Sequence, residues 1–265
     1  YRPSSSGVTG TLSGDVWINS RFDSYTPSTS EAGGGNWGRY IIAHELGHAM
    51  GLSHPFDGAP TLPAGEDSFQ YTTMSYTKFP GTNVRPVDYQ LYDVAALQYL
   101  YGPNMATRTG DDVYVFGESA RAIDTIWDAG GLDAIDASGF SGAVTIDLNP
   151  GAFSSLGMTN NVAIAFGAEI ERAVGGAGAD RLIGSAGDNG FRGGANADAF
   201  VFAADWGADV VEDFEDGVDR LDFSGTGLGF ADLAIGQGAA GAEIAFGDDS
   251  LTLAGLDAGL VDASD

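Results

Sequence analysis

Three histidines occur in the 265-residue chain, and all lie in one stretch, His44-Glu45-Leu46-Gly47-His48-Ala49-Met50-Gly51-Leu52-Ser53-His54. On a helix, residues four apart share a face, so His44 and His48 present two imidazoles to one ion. Gly51 permits a sharp backbone turn that swings His54 back as a third ligand. Three neutral imidazoles leave one coordination position open, the arrangement of a catalytic rather than a structural zinc. Glu45, beside the ligand pair, could take a proton from a metal-bound water attacking a carbonyl.

These residues need a helix that starts just before them and stops just after. A Gly-rich loop spans 31–36, and Asn36 is a candidate N-cap for a helix running to about Met50, with Gly51 as its C-terminal stop. Upstream, Asp15-Val16-Trp17-Ile18-Asn19 reads as a short strand. Residues 53–73 form a Pro/Gly/Asp-rich loop, and a second helix is expected from about Pro86 to Leu100. Helix signals then vanish. Short strands are expected at Val113–Phe116, Val144–Leu148 and Val162–Phe166, which places a domain boundary near residue 107.

Composition narrows the possibilities. Hydrophobic residues make up 43% and aromatics 11%, enough for real cores. Thirty-seven acidic against 11 basic residues give a net charge of −26, which argues against nucleic acid as a partner and for bound divalent cations. Cysteine is absent, so metal ions are the natural substitute for disulfide staples. No apolar run approaches the roughly 18 residues of a membrane span, and no secretory signal peptide opens the chain. Tyr1 is not an initiator methionine, so the sequence is expected to begin inside a longer polypeptide.

The eleven-residue histidine motif resembles the metzincin metallopeptidase signature. Ser53 after Leu52 and Pro55 after His54 are similar to its serralysin branch, as is Thr73-Met74-Ser75-Tyr76, which matches that family's Met-turn. The resemblance implies that Met74 forms a hydrophobic floor beneath the zinc. It also implies that Tyr76 coordinates zinc in the resting enzyme and swings to stabilise the oxyanion. Asp93-Val-Ala-Ala-Leu-Gln-Tyr-Leu-Tyr-Gly102 resembles the family's helix closing the catalytic domain, with Asp93 in a structural role.

Between Gly175 and Val201 a nine-residue repeat of the form G-G-x-G-x-D-x-U-x, with U a large apolar residue, resembles RTX calcium-binding sequences. Glycines permit tight turns whose carbonyls face a hard cation, and the sixth-position Asp adds a carboxylate. Gly175, Gly176, Gly178 and Asp180 come from the first repeat, and Gly193, Gly194, Asn196 and Asp198 from the third. Leu182, Phe191 and Phe200 occupy the eighth position and should fill a core. Equivalent turns recur every 18 residues, so Asp180 and Asp198 are expected to share one ion. The middle repeat departs from the pattern, with Ser185 second and Asn189-Gly190 where Asp-x is expected.

Further calcium segments follow from the serralysin resemblance. Asp128, Asp133 and Glu171 would supply carboxylates, and Arg108, Gly110 and Gly131 carbonyls. Asp112 stands where the family more often uses a carbonyl alone. Asp209 is expected to cap the repeats with another ion, and the remaining acidic residues up to Asp222 to be solvated. The tail from Leu251 to Asp265 resembles the start of a type I secretion signal.

These readings combine into an α+β chain. Residues 1–107 would be the C-terminal part of a zincin-like (metzincin) catalytic domain. Residues 108–265 would be an all-β right-handed parallel β-roll. The implied function is that of a secreted, extracellular zinc endopeptidase of bacterial type I export, acting on protein or peptide substrates and carrying one catalytic Zn2+ and several structural Ca2+. Tyr1-Arg2-Pro3 resembles the end of the substrate-binding edge strand, so the remainder of the catalytic domain is expected to be missing or on another chain. The rival is a calcium-dependent binding or surface-layer module with a vestigial peptidase half. The intact Glu45 argues against it.

Overall fold

The computed structural model describes residues 37–119 and 121–265. The expected strand at Asp15–Asn19, the loop at 31–36 with its Asn36 cap, and Tyr1–Pro3 lie outside these residues. Among the described residues no strand precedes Val113.

Helix α1 spans Trp37–Ala49 and carries the first two histidines. Gly51 follows at φ +96°, a left-handed conformation that costs glycine little. Helix α2 spans Leu91–Tyr101, starting five residues later than the Pro86 expectation. The Asp93 carboxylate sets that start by accepting the Gln90 N–H (3.0 Å) at the helix N-terminus.

Fifteen short strands follow among the described residues. They are β1 (Val113–Val115), β2 (Asp124–Ile126), β3 (Ala134–Asp136), β4 (Thr145–Asp147) and β5 (Phe153–Ser154). Next come β6 (Val162–Ile164), β7 (Arg172–Val174), β8 (Arg181–Ile183), β9 (Gly190–Arg192) and β10 (Ala199–Ala203). The last are β11 (Ala208–Val211), β12 (Arg220–Gly225), β13 (Ala234–Gln237), β14 (Gly241–Phe246) and β15 (Asp249–Ala254).

The nine-residue repeat appears directly in the topology. Successive strands β7 to β10 fall alternately into two sheets. Strands eighteen residues apart pair in parallel, with Arg172 opposite Gly190 and Arg181 opposite Ala199. One sheet runs β1-β3-β7-β9-β11-β15-β14-β13 and the other β12-β10-β8-β4, with a small third sheet β2-β6-β5. After β11 the regime changes. β15 pairs with β11 in parallel, but β14 and β13 join antiparallel.

Leu182, Phe191 and Phe200 are fully buried and belong to one core with Ile135, Ile146, Phe202 and Trp206. Each such side chain contributes roughly 2–3 kcal/mol on leaving water. A second core joins Tyr40 and Phe69 to Ile123, with Met158 packed against it, so apolar packing crosses the expected boundary near residue 107. The tail is built into the fold as well, with Leu251 and Leu253 fully buried in β15.

Candidate metal centres

The three imidazoles meet at their Nε2 atoms. His54 Nε2 lies 3.0 Å from His48 Nε2 and 3.3 Å from His44 Nε2. Each Nδ1 faces an oxygen: Thr73 O at 2.9 Å from His44, Leu52 O at 2.9 Å from His48, and Asp57 Oδ2 at 2.8 Å from His54. Carbonyl and carboxylate oxygens only accept, so each ring carries its proton on Nδ1 and aims an Nε2 lone pair inward. Converging lone pairs repel unless a cation lies between them. Two nitrogens at about 2.0–2.1 Å from one tetrahedral ion stand roughly 3.3 Å apart. Burial holds the His44 imidazole below its usual range, which keeps it neutral and fit to ligate.

Tyr76 stands over this group. Its hydroxyl is 2.8 Å from His54 Nε2 and its ring stacks on His44 with centroids 5.5 Å apart. Burial, then the charges of Glu45 and Asp57, push the phenol upward, so it is protonated at neutral pH. Glu45, next to His44 on α1, is thus within electrostatic reach of both Tyr76 and His44.

Met74 is 1% exposed. A Cβ on Gly47 would come within 2.5 Å of Met74 Sδ, so the glycine inside the helical motif makes room for the sulfur. The Met-turn is tied to α2 by Asp93, whose carboxylate accepts from Thr72 Oγ1 and from the Thr73 N–H, both at 2.6 Å. We expect Gly47→Ala to destabilise the protein by about 1–3 kcal/mol through overpacking. It should also weaken zinc retention, measured by thermal unfolding and chelator competition. An unchanged melting temperature would mean that Met74 moves aside freely.

Asp57 was not found from sequence. The available signal was its place three residues after His54, on the far side of Pro55. Outside the motif itself, such a partner is visible only once the loop is folded.

The acidic half is organised as two columns of residues that immediately precede strands or, for Asp209, stand second in β11. In the first, the Asp133 Oδ1 accepts the Asp112 N–H (2.8 Å), Glu171 Oε2 accepts the Asp133 N–H (2.7 Å), and Asp209 Oδ1 accepts the Asn189 N–H (2.8 Å). In the second, Asp180, Asp198 and Asp219 accept the N–H groups of Val144, Asp180 and Asp198. Asp180 and Asp198 are thereby adjacent. Asp219 is buried, not solvated as expected, because it continues this column. Asp213 is likewise engaged, accepting from Gly193 and Gly194 N–H.

Each of these bonds uses one carboxylate oxygen. The other, Oδ2, is buried without a hydrogen-bond partner in Asp133, Asp198 and Asp209. Burial first, then neighbouring carboxylates, raise Asp198 to about 7 and Asp209 to about 8. Such oxygens are costly to bury unpaired. Glycines leave room for more oxygen around them. A Cβ on Gly131 would overlap the Gly110 carbonyl, and on Gly175 the Gly193 carbonyl and the Asp180 carboxylate. On Gly176 it would overlap the Phe140 carbonyl, and on Gly194 the Gly176 carbonyl. A Cβ on Gly178 would instead meet backbone at Gly142–Ala143, so that glycine allows close chain approach. Asp112, Asp128 and Asp133 also bring one oxygen each within 4.8 Å of one another.

The other expected positions are placed as follows. Arg108 has φ +49° and its guanidinium lies 4.7 Å over the Tyr114 ring, while its carbonyl accepts from Ala129 N–H (3.3 Å). Tyr114 donates to Asp128 Oδ2 at 2.5 Å, a contact that sequence did not suggest. Asn196, at φ +75°, is exposed and its Nδ2 donates to Ala177 O (2.7 Å).

A partly buried cluster of three histidines thus lies in one chain with a glycine-lined acidic strand array. Residues 103–236 match the family model described as Peptidase M10 serralysin C terminal. The chain is 40% identical over 194 residues to Serralysin C of Dickeya chrysanthemi, covering 62% of this chain and 39% of that protein. It is 39% identical over 196 residues to Serralysin of Proteus mirabilis (63% and 39%). It is 39% identical over 202 residues to Metalloprotease AprA of Pseudomonas entomophila (64% and 41%). The chain belongs to the serralysin family. It spans about two fifths of the length of these relatives.

Proposed function

We propose that the chain is part of a secreted zinc endopeptidase stabilised by calcium. The observation that carries this reading is the approach of His44 Nε2 (3.3 Å) and His48 Nε2 (3.0 Å) to His54 Nε2, each ring held by an oxygen on its Nδ1. His44, His48 and His54 would hold Zn2+, and Tyr76 would add its phenol in the resting state. Bound there, the ion would supply Lewis acidity and a water of lowered pKa. Glu45 would accept the proton at its carboxylate and pass it toward the leaving amine. Tyr76 would turn its O–H onto the developing oxyanion. Asp57, Thr73 and Leu52 would keep the imidazoles oriented and in one tautomer.

Residues 1–107 would be the C-terminal part of a zincin-like catalytic domain. Residues 108–265 would form a right-handed β-roll of parallel nine-residue half-coils, closed by the antiparallel β13–β15, where the expectation of parallel strands throughout fails. Asp112, Asp128, Asp133, Glu171, Asp180, Asp198 and Asp209, with carbonyls of Arg108, Gly110, Gly131, Gly175, Gly176, Gly178, Gly193, Gly194 and Asn196, are the proposed Ca2+ ligands. No described helix is long and apolar enough to cross a membrane. Export by type I machinery, with protein substrates outside the cell, fits the tail sequence and the family.

Casein hydrolysis lost on chelation and restored by zinc tests the reading; hydrolysis that survives complete removal of zinc would overturn it. Tyr76→Phe tests one role within it. That variant should keep its zinc while kcat falls by about 10²–10³ with little change in KM, as for loss of one oxyanion donor. An unchanged kcat would return Tyr76 to packing.

A further inference from the structure

Phe56 lies in the tight turn that carries the third histidine. The Asp57 N–H donates to the His54 carbonyl (3.1 Å), so residues 54–57 close on themselves, with Pro55 at the second position, which suits its fixed φ. Asp57 holds the Nδ1 edge of the His54 ring, and Phe56 lies flat on its face, with centroids 5.0 Å apart and planes 7° from parallel. The Phe56 ring also meets the Tyr76 ring, 5.2 Å between centroids. Phe56 belongs to neither apolar core of the described residues. It is 41% exposed and Tyr76 is 61% exposed, so two touching aromatic rings stand open to solvent beside the imidazoles. The Tyr76 hydroxyl, 2.8 Å from His54 Nε2, marks where the imidazoles meet. A peptide carbonyl brought to that point sets the next residue of its chain only about 3.8 Å further on, within reach of the Phe56 ring.

We propose that Phe56 is a specificity-determining residue, the apolar wall that receives an aromatic or large aliphatic side chain of the substrate next to the bond that is cut. This rests on the peptidase reading above. An aromatic side chain docked there removes the Phe56 face from water and gains a ring–ring contact, whereas a methyl group covers little of it. An acidic side chain at the same place meets the Glu45 and Asp57 carboxylates, both close enough to act on Tyr76. The turn fixes this wall to the zinc-type cluster itself: Pro55 joins Phe56 to His54, and the Asp57 carboxylate ties the turn back to the His54 ring.

The test uses the intact protein with zinc and calcium, and peptides that differ only at the residues flanking one scissile bond, as Phe, Leu, Ala or Glu. Wild type should prefer Phe and Leu over Ala and cleave the Glu peptide worst. Phe56→Ala should lower kcat/KM for the Phe and Leu peptides by about tenfold, leaving the Ala peptide within about twofold. Phe56→Tyr should keep the wild-type preference. Calorimetry in a Glu45→Ala background should show the same loss in affinity for the Phe peptide, a readout that needs no turnover. Zinc content should not change in any of these variants. Three results would overturn the proposal: no preference among the peptides in wild type, a Phe-to-Ala ratio unchanged in Phe56→Ala, or loss of zinc from Phe56→Ala, which would make the ring a support for His54. A zinc-loaded wild type that cleaves none of the peptides would overturn the peptidase reading itself.

Discussion

Glu45→Ala is expected to retain zinc at wild-type stoichiometry and to lose about 10²–10⁴ in the rate of casein hydrolysis, the usual worth of general-base assistance. The three imidazoles are held by Thr73, Leu52 and Asp57, none of which depends on Glu45. Metal retention and proton transfer are therefore separable in this site. Glu45→Gln preserves side-chain shape and removes the proton acceptor, so it should lose nearly as much activity as the alanine variant. Zinc content by atomic absorption and initial rates on casein read the two quantities independently. A Glu45→Ala enzyme working at the wild-type rate would remove this residue from the reaction. Loss of zinc together with activity would make its role structural.

The second large effect is expected from calcium removal. Chelation should abolish most of the strand signal of the full chain by circular dichroism, and millimolar calcium should restore it cooperatively. Each ion at a hundred times its Kd contributes ~2.7 kcal/mol to the folded state. Several sites therefore exceed the marginal stability of a domain of this size. The pH dependence should reverse sign with calcium. In the ion-free fold Asp198 and Asp209 are raised to about 7 and about 8, above the ordinary carboxylate value of about 3.9. The folded state then binds protons that the unfolded chain does not, so stability is greatest near pH 4–5 and falls as pH rises through 7 to 8. With calcium the same carboxylates are held ionised, and stability should instead fall on acidification. Asp198→Asn should flatten the pH response in chelator. Full strand content in excess chelator at pH 8 would refute the dependence on calcium.

What could be read from sequence was set by local spacing. The histidine ligands, Gly51 and Leu182-Phe191-Phe200 follow helix and nine-residue periods that do not need the rest of the fold. The start of α2 was misplaced because Pro86 suits a first helical position, whereas the Asp93 carboxylate, bonded to Gln90, Thr72 and Thr73, chooses Leu91. Asp219 and Asp213 were read as solvated charge because their partners, Asp198, Gly193 and Gly194, lie about twenty residues away in sequence. The Tyr114–Asp128 bond, across 14 residues, was hidden likewise, whereas Asp57 lies close to His54 in sequence and was hidden because only the folded loop turns it onto Nδ1. The antiparallel β13–β14–β15 meander was not foreseen within the stretch expected to be parallel roll, since alternating Leu251 and Leu253 carry no mark of which strand they will meet.

That meander has a consequence for the molecule in solution. A stack of parallel strands is open-ended: whatever strand lies last offers a free row of amides and carbonyls to a further copy. β11 would be such a platform, but β15 covers it, and the chain then reverses direction twice through β14 and β13. The two reversals leave β13 running in the same direction as β11, so an incoming repeat meets an edge of familiar polarity that lacks the nine-residue turns. What ends the stack is therefore the loss of the glycine turns beyond β11, since a further coil needs matching turns as well as a strand to pair with.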